Sequence, residues 1–211
     1  MDKPSNLTVI RDRIKKSQPG TVYVAVDFVD ISDKTNINAY LAVLADERVL
    51  CRVLRGVYYK PSYNEFLKEY VAPDTHKVAQ AIARNYGWTV VPSSDTALNM
   101  LGLSTQDPAV YVYASDGAYK EYEVNNTTIR FKRTTNRDLA KLTYKTALVV
   151  QALKALGKEN IDNTVISQLQ RVLTAEEKNK MLTEAKTVTA WIYDCIKQIC
   201  KIQIFESGGI T

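Results

Sequence analysis

The chain has 211 residues, 45% hydrophobic and 24% charged, with 28 Lys/Arg against 23 Asp/Glu and a formal net charge of +5. That composition belongs to an ordered globular protein of one large or two small domains, and it permits a nucleic-acid partner without requiring one. Three cysteines and a single histidine, His76, argue against a disulfide scaffold, a structural zinc site or a histidine-based triad and suit a reducing cytoplasm. The sequence has no signal-peptide core and no apolar run long enough to cross a membrane, so no membrane partner is expected.

In chain order, Leu7, Ile10 and Ile14 predict a helix that stops at Gln18-Pro19-Gly20. Thr21 to Val24 reads as a short strand and Val26 to Ile31 as one or two helical turns. Ser32 or Asp33 caps the next helix, where Ile37, Leu41 and Leu44 form a one-faced apolar stripe. Val49 to Leu54 and Val57 to Tyr59 flank Arg55-Gly56 and predict a tight hairpin. Lys60-Pro61 ends regular structure there and marks a boundary. This order of helix, strand, helix, helix and hairpin is that of a winged helix-turn-helix over residues 1–61.

Residues 62–211 are expected to form a mixed α/β domain, making the chain α+β as a whole. A helix from Pro73-Asp74-Thr75 to Gly87 carries Val78, Ile82 and Tyr86 as its stripe. Trp88 to Val91 is a strand, and Ser93 or Ser94 caps a short helix that Gly102 stops. Val110 to Ala114 is a strand, followed by the turn Ser115-Asp116-Gly117. Tyr119 to Val124 and Thr128 to Arg133 form an antiparallel hairpin around Asn125-Asn126. A helical tail begins near 135, with Thr135 and Asp138 as a capping pair ahead of a run to Leu156 closed by Gly157. Helices near Thr164–Leu173 and from the capping box Thr174/Glu177 follow. Then comes a stripe of Val188, Trp191, Ile192, Cys195, Ile196, Ile199 and Ile202. Ser207-Gly208-Gly209 is read as a frayed end.

The candidate function is DNA binding. The helix after Asp33 would enter the major groove, presenting Lys34, Thr35, Asn36, Asn38 and Tyr40 opposite its apolar stripe. An amide can bond adenine bidentately and a threonine methyl can touch thymine, so Asn36 and Thr35 are the expected base readers. Arg52 and Arg55 on the hairpin, with Arg11, Lys15 and Lys16, would contact phosphates. The bland alternative is a solvated polar face. Asp33 is read as a cap, His76 as a surface residue and Cys51 as inside. Tyr111, Tyr113, Tyr119 and Tyr122 are taken to pack a sheet.

No phosphate loop, dinucleotide fingerprint, zinc-protease helix or nucleophile elbow occurs, so the chain is expected to be non-enzymatic, with no cofactor and no metal. A metal-dependent nuclease would need Asp116, Glu121 and Glu123 together. A protein-interaction module built on the same scaffold is the other alternative.

The segment RVLRGVYYKP (Arg52 to Pro61), after a short polar helix, resembles the wing of the AbiEi-like antitoxins of type IV toxin–antitoxin and abortive-infection systems. PSSDTALNMLGLSTQDP (Pro92 to Pro108), YVYASDG (Tyr111 to Gly117) and TIRFKRTTNRDLA (Thr128 to Ala140) resemble that family and its uncharacterised relatives, and the likeness runs over most of residues 7 to 200. It implies a winged helix that binds double-stranded operator DNA and represses its own operon. It also implies a C-terminal domain that antagonises a nucleotidyltransferase-like toxin, direct contact not being required. Lys34, Thr35, Asn36, Arg52 and Arg55 match the family's DNA-contacting elements. A homodimer would suit a two-fold operator.

Overall fold

The computed structural model describes residues 5–134 and 141–201. Within them the chain is mixed α+β, with eight α-helices and nine strands. It divides into two compact units: residues 1–90, 109–111 and 117–132 form the first, and 91–108, 112–116 and 133–211 the second. Pro61 lies within the first unit. Among the described residues no helix is long and apolar enough to cross a membrane.

The first unit opens with α1 (Asn6–Lys16), whose N-terminus is capped by the Ser5 hydroxyl accepting from Thr8 N. Ile10 and Ile14 are fully buried. At the other end of α1, the Lys60 ammonium donates to the carbonyls of Lys15 (2.8 Å) and Ser17 (2.6 Å). A cation there satisfies acceptors that the helix leaves open and opposes its dipole. After β1 (Val22–Tyr23), a 3-10 turn over Ala25–Phe28 leads to α2 (Lys34–Asp46), N-capped by Asp33. Ile37, Leu41 and Leu44 of α2 join Ile10, Ile14, Phe28 and Tyr58 in one core. Strands β2 (Cys51–Leu54) and β3 (Val57–Tyr59) form the hairpin expected at Arg55-Gly56, and β1 adds to β3, giving the antiparallel order β1-β3-β2. Gly56 takes φ 78°, which a two-residue turn of this kind demands at its second position.

Regular structure does not end at Pro61. β4 (Ser62–Asn64) pairs antiparallel with β5 (Glu69–Val71), with Tyr63 opposite Tyr70. Asn64 Oδ1 accepts from Phe66 N and Leu67 N, an Asx turn that closes the hairpin. Strands of three residues with no buried position carry no readable alternation, which is why periodicity does not reveal them.

α3 (Thr75–Tyr86) starts at an Asp74 cap and ends on Gly87 in the left-handed region, as expected. Its buried face is Val78 and Ile82 with Ala79, Ala81 and Ala83, whereas Tyr86 is exposed. The Tyr86 ring stacks on Trp88 at 4.5 Å, and its hydroxyl accepts from Lys120 Nζ (2.9 Å). That ammonium holds the Tyr86 phenol below its usual range. β8 (Lys120–Val124) and β9 (Thr127–Arg133) turn through Asn125 and Asn126, both at positive φ, as their type predicts. Trp88 packs edge-on to Phe131. Its indole also lies over Gly117, where an added Cβ would sit 2.2 Å from ring carbons.

The second unit contains β6 residues 91 and 92, α4 (Ser94–Met100), residues 112–115 of β7 (Val110–Ser115), and helices α5 to α8. Val112 N donates to Thr96 Oγ1 (2.8 Å), tying strand to helix inside the core. α5 (Tyr144–Leu156) is buried continuously from Thr146 to Leu153 and is the centre of this unit. Thr143 caps α5, and Glu184 accepts from both Thr143 N and Thr143 Oγ1 at 2.9 Å, which fixes the first turn. Thr135, Asp138, Ile202 and the Ser207-Gly208-Gly209 end lie outside the described residues. α6 (Asn163–Val172), α7 (Ala175–Glu184) and α8 (Ala190–Cys200) surround α5's core. The Thr174/Glu177 capping box is formed. Ile192, Ile196 and Ile199 are buried as the stripe predicted, and Trp191 packs against them.

Gly117→Ala should destabilise the protein by about 1–3 kcal/mol, because the new methyl must displace the Trp88 ring or the turn. Urea unfolding followed by Trp fluorescence measures it.

Candidate nucleic-acid interface

The burial of Ile37, Leu41 and Leu44 fixes the rotation of α2 about its axis, and with it where each polar residue points. Residues three, four and seven apart share a helix face. Thr35, Asn38 and Ala42 therefore lie on one flank of the stripe, and Asn36, Tyr40 and Val43 on the other. The first flank faces the β2–β3 hairpin. There Asn38 and Ala42 line a cavity of about 440 Å³ with Arg52, Arg55, Gly56, Tyr58 and Asn85. A second cavity, of about 540 Å³, shares Ala42, Arg52 and Tyr58 with it and adds Asp46, Arg48 and Tyr70 among its walls. Together they make one groove that runs along α2 and the hairpin.

Lys34, Thr35, Asn36 and Asn38 are exposed, as expected. Tyr40 is not on the open polar face: its ring is half-buried and packs against the α1–α2 core. The Asn36 amide donates to Asp33 Oδ2 at 2.6 Å, so it braces the cap. Arg11 is also committed, pairing with Glu47 at 2.9 Å. Arg52 and Arg55 are exposed on the hairpin, and Arg52 Nε reaches Leu54 O at 3.4 Å. Cys51 is half-buried, and it and Tyr59 occupy opposed positions in the β2–β3 pair. His76 is half-buried rather than superficial, and burial pushes its imidazole below the usual range while Asp74 acts the other way.

The acidic residues before and at the start of α2 are each engaged. Asp27 pairs with Arg84 (3.1 Å) and accepts from Val24 N. Asp30 pairs with Arg13 at 2.5 Å. Asp33 accepts from Thr35 N and Asn36 N, and these hydrogen bonds, that of Asn36 first, hold its carboxyl below the usual range. Among the described residues, Lys15, Lys16, Lys34, Arg48, Arg52 and Arg55 form no ion pair.

Two groove residues lie beyond what the sequence pattern singles out. Arg48 follows α2 in a left-handed conformation, φ 61°, where glycine or asparagine is the usual choice. An arginine placed there against preference, beside Arg52, is the available signal. Asn85 comes from α3, and only the tertiary fold brings it to Asn38.

The carboxylates weighed for a nuclease have other partners. Glu121 pairs with Arg130 at 2.6 Å and accepts from the Tyr119 hydroxyl, and Glu123 accepts from Thr128 Oγ1. Among the described residues no group of three or more His, Cys, Asp or Glu is arranged to hold a metal ion. The four tyrosines divide: Tyr113 is fully buried in β7, whereas Tyr119 is exposed and precedes β8.

The chain belongs to a family of unknown function, DUF6088, whose model matches residues 9–181. No curated protein matches the chain. The matched stretch includes α2, the β2–β3 hairpin and every residue that lines the groove.

The cap gives a test by acid. Because the Asp33 carboxyl is lowered in the folded state, its contribution is present above the unfolded value, about pH 3.9, and is lost as pH falls through the folded one. Asp33→Asn should therefore lose less stability than the wild type on acidification below about pH 4, measured by thermal unfolding across a pH series.

Proposed function

We propose that this protein is a non-enzymatic, cytoplasmic DNA-binding regulator whose first 61 residues act as a winged helix-turn-helix. In this reading α2 is the recognition helix and β2–β3 the wing. The observation that carries it is the groove in which Asn38 on α2 lies with Arg52 and Arg55 on the hairpin. Support comes also from the element order α1, β1, 3-10 turn, α2, β2, β3, from the strand order β1-β3-β2, and from six exposed or groove-lining cations free of ion pairs. A helix in the major groove presents one polar face to base edges while flanking cations hold phosphates. Thr35 and Asn38 are the base readers on the groove side of α2. Arg48, Arg52 and Arg55, with Lys15, Lys16 and Lys34, are the phosphate contacts. The likeness to AbiEi-like antitoxins extends the proposal to an autoregulator that antagonises a nucleotidyltransferase-like toxin.

Binding to duplex DNA from upstream of the protein's own gene should be measured by fluorescence anisotropy at several salt concentrations. Arg55→Ala should weaken all duplexes alike and reduce the salt slope by about one unit for a lost phosphate contact. Asn38→Ala should cost about 1–3 kcal/mol of discrimination at one base pair, while Asn36→Ala leaves discrimination unchanged. Absence of salt-dependent binding to these duplexes would refute the proposal.

A further inference from the structure

The β4–β5 hairpin is the most exposed apolar feature of the first unit. Phe66 at its tip is 92% exposed and Tyr70 65%, and Tyr63, Leu67 and Val71 are also exposed. All three residues of β5 are exposed, so this strand is an uncovered edge. Natural sheets protect such edges with charge, proline or a covering element, and a two-stranded hairpin alone is marginally stable. This one has three residues per strand and, among the described residues, no third strand in its sheet. It is nonetheless ordered locally: Asn64 closes its turn, and Tyr63 meets Tyr70 edge-on with ring centroids 5.3 Å apart.

From this geometry we infer that the β4–β5 hairpin is a self-association surface, on which a second copy of this chain docks through the same hairpin. The charge on the hairpin selects that occupant. Glu65, Lys68 and Glu69 are exposed and form no ion pair among the described residues. Two acidic side chains beside the tip repel a phosphate backbone, whereas acid and base on one small patch make it self-complementary. A two-fold contact requires that property, because each residue meets its counterpart's neighbours on the same surface. Lys68 of one copy then faces the glutamates of the other, and the tyrosine and phenylalanine rings are withdrawn from water between them. The inference does not rest on DNA binding, and the masses that test it are measured without DNA, although Tyr70 also borders the groove beside α2.

Light scattering coupled to size exclusion should find the full-length protein dimeric in the micromolar range. Phe66→Ser and Tyr70→Ser should halve the mass with an unchanged far-UV circular dichroism spectrum, since both side chains are mostly exposed and belong to neither buried core. Lys68→Glu should dissociate the dimer, and mixing it with the Glu65→Lys/Glu69→Lys variant should restore a mixed dimer. A monomeric wild type, or dimers that persist in both Phe66→Ser and Tyr70→Ser, would overturn the inference. A monomeric wild type whose affinity for a single DNA half-site falls on Phe66→Ser would overturn it as well, making the hairpin a DNA contact. Failure of DNA binding alone would leave the masses as expected.

Discussion

The burial of Ile37, Leu41 and Leu44 against α1 and the 3-10 turn is the constraint on which the groove depends. Three apolar side chains at helical spacing leave α2 one rotation that removes all of them from water, with each contributing about 1.5–3 kcal/mol. That rotation turns Asn38 and Ala42 toward the hairpin and Asn36 and Tyr40 away from it. Lys60 extends the constraint to the hairpin side: it follows β3 immediately and is hydrogen-bonded to the last carbonyls of α1. The groove's two walls are thus referred to the same core.

Charge in the first unit is organised by local pairing more than by total. Arg11, Arg13 and Arg84 neutralise Glu47, Asp30 and Asp27, and Lys60 serves α1. Exposed pairs of this kind add little stability. Their effect is to remove both signs from the balance near α2. Near α2, the cations without ion pairs among the described residues lie on α1's last turn, at the start of α2, at Arg48 just after it and on the β2–β3 hairpin.

Much of the fold is legible in the sequence because its signals are local. Asp33, Asp74 and Thr174 begin helices, Gly87 and Gly157 end them, and Arg55-Gly56 and Asn125-Asn126 turn hairpins. These residues act through backbone chemistry within four positions. Other features need information from farther away. The Thr143 cap of α5 is held by Glu184, forty-one residues on. The β4–β5 strands are too short for a period. The groove is half legible: the polar helix and its arginines are visible in order, but the choice between Asn36 and Asn38 turns on a 2.6 Å hydrogen bond to the cap. Asn85 joins the groove only through the fold.

The packing of Trp88 over Gly117 has a practical consequence. The chain has two tryptophans, Trp88 in the first unit and Trp191 in the second. Trp88 is stacked on Tyr86 and set against Phe131, while Trp191 borders the α5 core. Each unit thus carries one native optical reporter. With Trp191 replaced by phenylalanine, emission would follow the groove-bearing unit alone, and with Trp88 replaced it would follow the helical one. Whether the two units melt together or in succession can then be read without attaching a label.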